Sequence, residues 1–260
     1  MNKRMRRSLN KTTYWTLSSL FLALAASSAH ADSRRFAYLY SAGLPAAGVV
    51  EFEQWVTVSG GRDSKPGQTQ FDFREEVELG ITEKFAIGIY LADWRVETGG
   101  AQPTETTYRD SAIELRYQLL DPLEEKLGVT LYGEVKVGND FLKLEGATLF
   151  EVKLDQLTLG YNIFLEAEWE GEHYDETEGE LKNIWGASLS LDAGWAVGGE
   201  MVLKNSWQQW SDANDPTLQL GPNVTFRKGQ WFATTTCLFQ ATDVASAPDY
   251  EVRLITGWEF

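Results

Sequence analysis

The chain repeats one pattern about twelve times: a run of roughly a dozen residues in which apolar and polar side chains alternate. A period of two is the signature of a β-strand with one apolar and one polar face. The runs fall at approximately 49–58, 69–79, 85–95, 108–119, 128–138, 143–154, 157–169, 180–190, 195–206, 217–227, 231–240 and 250–260. Every second connection is short, as in "ITEK", "LDQ", "LDAG" and "RKGQ", with "LDPLEEK" the longest of that set. The others are longer and rich in turn residues, as in "GGRDSKPGQ", "ETGGAQPTET" and "WQQWSDANDP"; the link at Asn139 and Asp140 is a short exception. Strand lengths are close to the ~9–11 residues that a tilted strand needs to cross a bilayer, and short turns at one end with long loops at the other are a feature of membrane barrels. The pattern predicts an all-β fold, a single closed antiparallel transmembrane barrel of about 12 strands, with short periplasmic turns and longer extracellular loops.

The faces differ in chemistry. In the strand at 157–169, Leu157, Leu159, Tyr161, Ile163 and Leu165 share one side, and Thr158, Asn162, Glu166 and Glu168 the other. A soluble barrel turns the apolar side inward and a membrane barrel turns it outward. Tryptophan position decides between them. Trp55, Trp94, Trp169, Trp207 and Trp210 lie near strand ends on the long-loop side, and Trp195, Trp231 and Trp258 near the short-turn ends. Two aromatic belts suit the two interfaces of a bilayer. The apolar faces are therefore read as lipid-facing, with Cys237 among them. The charged faces are read as lumen-lining, including Asp72, Arg74, Glu76, Glu114, Arg116, Glu134, Lys136, Glu166, Glu200, Glu251 and Arg253.

The beginning of the chain agrees with export. "MNKRMRRSLNK" is basic, an apolar run follows, and Ala29-His30-Ala31 has the form of a cleavage site. Residues 1–31 read as a secretory signal peptide. Residues 32–48 are expected to form an N-terminal periplasmic segment, as a short strand or as an arm entering the lumen, and residues 49–260 the barrel. The formal net charge of −15 argues against a nucleic-acid partner, and a lone cysteine excludes an intrachain disulfide.

The last residues sharpen the picture. Tyr250, Val252, Leu254, Trp258 and the terminal Phe260 stand at alternate positions. This resembles the terminal-strand signal of Gram-negative outer-membrane β-barrel proteins, and the resemblance implies recognition by the barrel assembly machinery. The stretches "ELGITEKFAIGIYL", "AIELRYQLLDP" and "LQLGPNVTFRKGQWFATTTCLFQ" look like hairpins of the phenol-degradation-transporter-like group of outer-membrane proteins, over most of 49–260. That resemblance implies a barrel and no particular substrate.

The functional expectation is a narrow passive channel in the outer membrane, in contact with lipid and small solutes. Inward-facing acids outnumber bases, which leans it towards cations. A structural or adhesive barrel with an ion-paired, closed lumen is the alternative. Catalysis is disfavoured: His173 is the single histidine after the leader, it sits in the acidic loop "EGEHYDETEGE", and no serine is adjacent to it. No cofactor or metal pattern is present, since the acidic loop lacks the spacing of an EF-hand.

Overall fold

The computed structural model describes residues 34–260. Twelve long strands close into a ring: β1 (Val50–Gly60), β2 (Gln68–Thr82), β3 (Phe85–Gly99), β4 (Glu105–Leu120), β5 (Gly128–Gly138), β6 (Phe141–Leu154), β7 (Leu157–Glu170), β8 (Glu176–Ser190), β9 (Trp195–Gln208), β10 (Thr217–Lys228), β11 (Trp231–Gln240) and β12 (Tyr250–Glu259). All neighbours are antiparallel, and a two-residue strand, Asp212–Ala213, folds back on the end of β9. The seam joins β12 to β1, with Phe52 opposite Trp258 and Val56 opposite Leu254. The Phe260 amide adds a last bond to the Val50 carbonyl, at 2.8 Å. Closure leaves no unpaired long edge, as a spanning sheet requires.

The turns obey the alternation seen in the sequence. Two-residue turns follow β2, β6 and β10, and the longer loops lie at the opposite end of the barrel. Asp140 and Asp155 take positive φ (53° and 51°) in the tight turns, a conformation that aspartate tolerates.

Burial is inverted relative to a soluble barrel. Large apolar side chains point outward and are exposed, Ile113 to 57% and Leu165 to 65%, whereas Glu53, Glu76, Glu114 and Arg116 on the inner face are at most 2% exposed. Every long strand carries at least one such exposed large apolar side chain on its outward face.

The segment before β1 does not stay outside the barrel. Its residues run inside the lumen: Phe36, Ala37, Leu39 and Ala42 are almost wholly buried, and they pack with Trp55, Tyr132, Leu149, Phe164, Ile184, Phe232 and Ile255 of the wall. Of the two forms expected for 32–48, the described part, from Arg34 onward, is the arm in the lumen rather than a periplasmic strand. The wall is notched to receive it. Gly160 and Gly186 are paired across β7 and β8, and side chains there would strike Leu39 and Phe36. At the short-turn end the arm passes into β1 beside Gly80, whose N–H and C=O bond Val49 and Gly48.

Gly80 is the tightest of these approaches. An added Cβ would lie 2.2 Å from the Ala46 carbonyl oxygen and 2.6 Å from that of Pro45, both backbone atoms. Gly80→Val is expected to destabilise the barrel by about 1–3 kcal/mol through overpacking. The gel-shift temperature of the folded form should fall, and an unchanged value would show that this junction yields freely.

Candidate functional site

The lumen is the site, and it has two halves. In the half nearer the short turns, the arm brings backbone N–H and C=O groups into the barrel. Such groups need partners there, because burying them unpaired is costly. Glu200 supplies the principal one. Its carboxylate accepts the amides of Ala37 (2.9 Å), Tyr38 (2.8 Å) and Leu39 (2.8 Å), three consecutive residues, and the Thr236 hydroxyl also donates to it. Asn162 clamps Tyr40 from both sides, accepting from its amide at 2.7 Å and donating to its carbonyl at 3.0 Å.

Arg116 is the second anchor. Its guanidinium donates to the carbonyls of Ser41 (2.8 Å) and Gly43 (2.6 Å) and to Glu78 (2.7 Å), while Gln118 and Thr130 donate to the Ala42 carbonyl. Thr225 and Thr234 donate to the carbonyls of Arg35 and Arg34. Arg34 itself faces Glu53 at 3.5 Å and lies over the rings of Tyr40 and Trp55. Glu200, Glu78 and Glu53 are thus engaged with the arm or with neighbouring bases and are buried.

The other half is a charge lattice. One hydrogen-bonded row across five strands places Glu114, Glu134, Glu145, Glu166 and Glu180 directly opposite one another in sequence. Opposed like charges repel. Lysines of adjacent rows offset this: Lys136 contacts Glu134 and Glu145 (2.8 and 3.2 Å), Lys143 contacts Glu166, Glu168 and Glu145 (2.5, 3.5 and 3.6 Å), and Lys182 contacts Glu166.

Above the arm lies a cavity of about 500 Å³. Tyr38 and Tyr40 at the tip of the arm, with Trp55, Phe164, Ile184 and Val202, form its apolar floor. Its wall presents nine bases (Arg62, Arg74, Arg95, Arg109, Lys136, Lys143, Lys182, Lys204, Arg253) and six acids (Asp72, Asp93, Asp110, Glu145, Glu168, Glu251). The lining thus carries more bases than acids, with Glu134 and Glu166 set behind it against Lys136, Lys143 and Lys182. Arg74 pairs with Asp93 at 2.5 Å and Arg95 with Asp72 at 2.7 Å. Arg62 donates to Ser59 and Arg109 lies over Phe141. Burial holds the Arg62 guanidinium below its ordinary pKa, outweighing the nearby Glu251 and Asp72.

All eleven residues expected in the lumen lie on the inner face. One belt residue does not lie on the outer one. Trp55 is 4% exposed, donates to Glu53 at 2.6 Å and belongs to the lumen core. It shares parity with Glu51 and Glu53, so the alternation places it inside. Trp94, Trp169, Trp207, Trp195, Trp231 and Trp258 are on the outer face, with ring contacts such as Trp94–Tyr108 at 5.5 Å and Trp195–Phe226 at 4.6 Å. Cys237 is on the outer face opposite Val252, and His173 is exposed in its loop.

Asp93, Arg95 and Arg109 are lumen residues that simple alternation misses. Leu91 is an extra residue in β3 and Arg109 an extra residue in β4, and each such bulge reverses the parity beyond it.

The fold has counterparts. The COG4313 outer membrane channel from Pseudomonas putida F1 matches with a TM-score of 0.56 at 11% identity, over 84% of this chain and 97% of that one. The NanC porin matches with a TM-score of 0.53 at 9% identity, over 81% of this chain and 98% of that one. At such identity the likeness is one of fold, the closed β-barrel of outer-membrane proteins. No curated protein matches the sequence. Residues 28–169 match DUF6662, a family of unknown function, and the chain belongs to that family.

Proposed function

We propose that the protein is an outer-membrane channel of a Gram-negative bacterium, exported by its signal peptide and closed at rest by its own N-terminal arm. The observation that supports this best is the division of the lumen. An arm held by polar side chains fills one half, and an open, charged cavity occupies the other. A barrel that only needed bracing would be served by ion pairs along its whole length. Here the apolar packing sits on a separate segment tethered at one end, which can leave without breaking the ring. Twelve strands is a suitable size, since eight-stranded barrels are filled by side chains and sixteen-stranded porins hold an open channel.

The outer face supports a lipid environment, and we read Phe260, whose amide bonds Val50 at the seam, as the signal for the assembly machinery. A preference for cations would belong to the open lumen, because the seated arm covers Glu200, Glu78 and Glu53. A structural barrel with a permanently closed lumen is the second reading, favoured by the number of wall side chains that hydrogen-bond the arm.

Two measurements test this reading. Leu165→Lys on the outer face of β7 should cost roughly 2–4 kcal/mol in folding into vesicles if that face meets hydrocarbon near mid-depth. A neutral effect would argue against a spanning orientation. For the gate, Glu200→Ala removes the acceptor of three buried amides, at about 1–3 kcal/mol for each group left unpaired. Amide exchange at Ala37, Tyr38 and Leu39 should accelerate, and planar bilayers should show more frequent openings than with wild type. Absence of current from both proteins, with exchange accelerated as expected, would favour the structural barrel.

A further inference from the structure

One wall of the cavity is more cationic than its ion pairs account for. Arg62, Lys204 and Arg253 line it together and share the field of Glu251; Asp72 and Glu97 also reach Arg62, but they are paired with Arg95 and Lys65. Glu251 is 3.7 Å from Arg253, a loose contact. Arg253 is held in place independently of it: its Nε donates to Thr57 at 3.0 Å, and the guanidinium lies 4.0 Å from the centre of the Tyr38 ring. Among the described residues neither Arg62 nor Lys204 forms an ion pair within bonding distance, and Arg62 is half-buried. With Asp72 and Glu97 taken up by Arg95 and Lys65, Arg62, Lys204 and Arg253 outnumber Glu251 and leave an excess of positive charge in a recess whose volume falls in the ~300–1,000 Å³ range of small-molecule sites. Thr57 and Gln219 add neutral hydrogen-bonding groups to the same lining.

We propose that this wall is a binding site for small organic anions that carry carboxylates, which would seat an acid group on Arg62 and Lys204. Guanidinium and ammonium donors bind carboxylates through charge-assisted bonds, and the Tyr38 side of the recess gives the remainder of the solute an apolar surface. The proposal rests on the reading of the upper lumen as an accessible pore mouth. It also places the solute in contact with the tip of the arm, so binding and opening share a residue, Tyr38.

The test is titration calorimetry on the mature full-length protein in detergent micelles, with citrate as the probe and spermidine as the cationic control. Wild type should bind citrate saturably and show no comparable heat with spermidine. The double variant Arg62→Gln/Lys204→Gln should weaken citrate binding roughly tenfold or more. Glu251→Gln should strengthen it severalfold, a gain that misfolding does not produce. The proposal is overturned if wild type fails to bind citrate, if spermidine binds as well, or if neither variant changes the affinity. Conductance reads the channel separately. Citrate binding by a barrel that passes no current would retain this site and remove the channel, and current without citrate binding would do the reverse.

Discussion

A chain segment inside a barrel is a problem of hydrogen bonding before it is one of packing. The arm from Arg34 onward exposes no strand edge to its surroundings, so its amides and carbonyls depend on side chains from the wall. The wall meets that demand residue by residue. Glu200 takes three successive amides, Asn162 takes both sides of Tyr40, and Arg116 takes two carbonyls. These positions come from β9, β7 and β4, so the arm ties together strands that are distant around the ring. The glycine notches at 160 and 186 then let Leu39 and Phe36 close upon the sheet. Half of the lumen is in effect a conventional protein core, built from the inside of a barrel whose outside is apolar as well.

The other half solves a different problem. A row of five opposed glutamates is unfavourable taken alone, and its lysines make it tolerable only because neighbouring rows interleave the two signs. The bulges at Leu91 and Arg109 extend that arrangement towards the long loops. By reversing parity they turn Asp93, Arg95 and Arg109 inward and leave Trp94 and Tyr108 facing out. Two inserted residues thus provide three cavity-lining charges and keep the outer belt aromatic.

This division explains what can be read in the sequence. Strand number, closure and the inward set from Asp72 to Arg253 follow from alternation, because one face must avoid what the other meets. Trp55 follows from the same rule; its nearness to a strand end pointed to a belt, but its parity with Glu51 and Glu53 governs its position. The bulges carry no comparable signal, since an inserted leucine or arginine fits either strand face in a one-dimensional pattern. The arm is the hardest to read. "RRFAYLYSAG" has no alternation, and its partners lie more than a hundred residues away at Asn162 and Glu200. Its apolar content without periodicity is the one trace of burial in irregular form.

Charge couples the two halves. With the arm seated, Glu53 has Arg34 and Glu200 has its three amides, and the lining of the cavity carries more bases than acids. Withdrawal of the arm would strip those acids of their partners and leave them in the lower lumen, where unpaired carboxylates require water or cations. Opening and wetting of the lower lumen would therefore be a single event. The conduit so formed would be basic near the long loops and acidic near the short turns. A tally of lumen charges would describe only that open state. On the proposed reading, the arm screens the acids of the lower half while it is seated, and Arg62, Lys204 and Arg253 belong to the cavity that stays open.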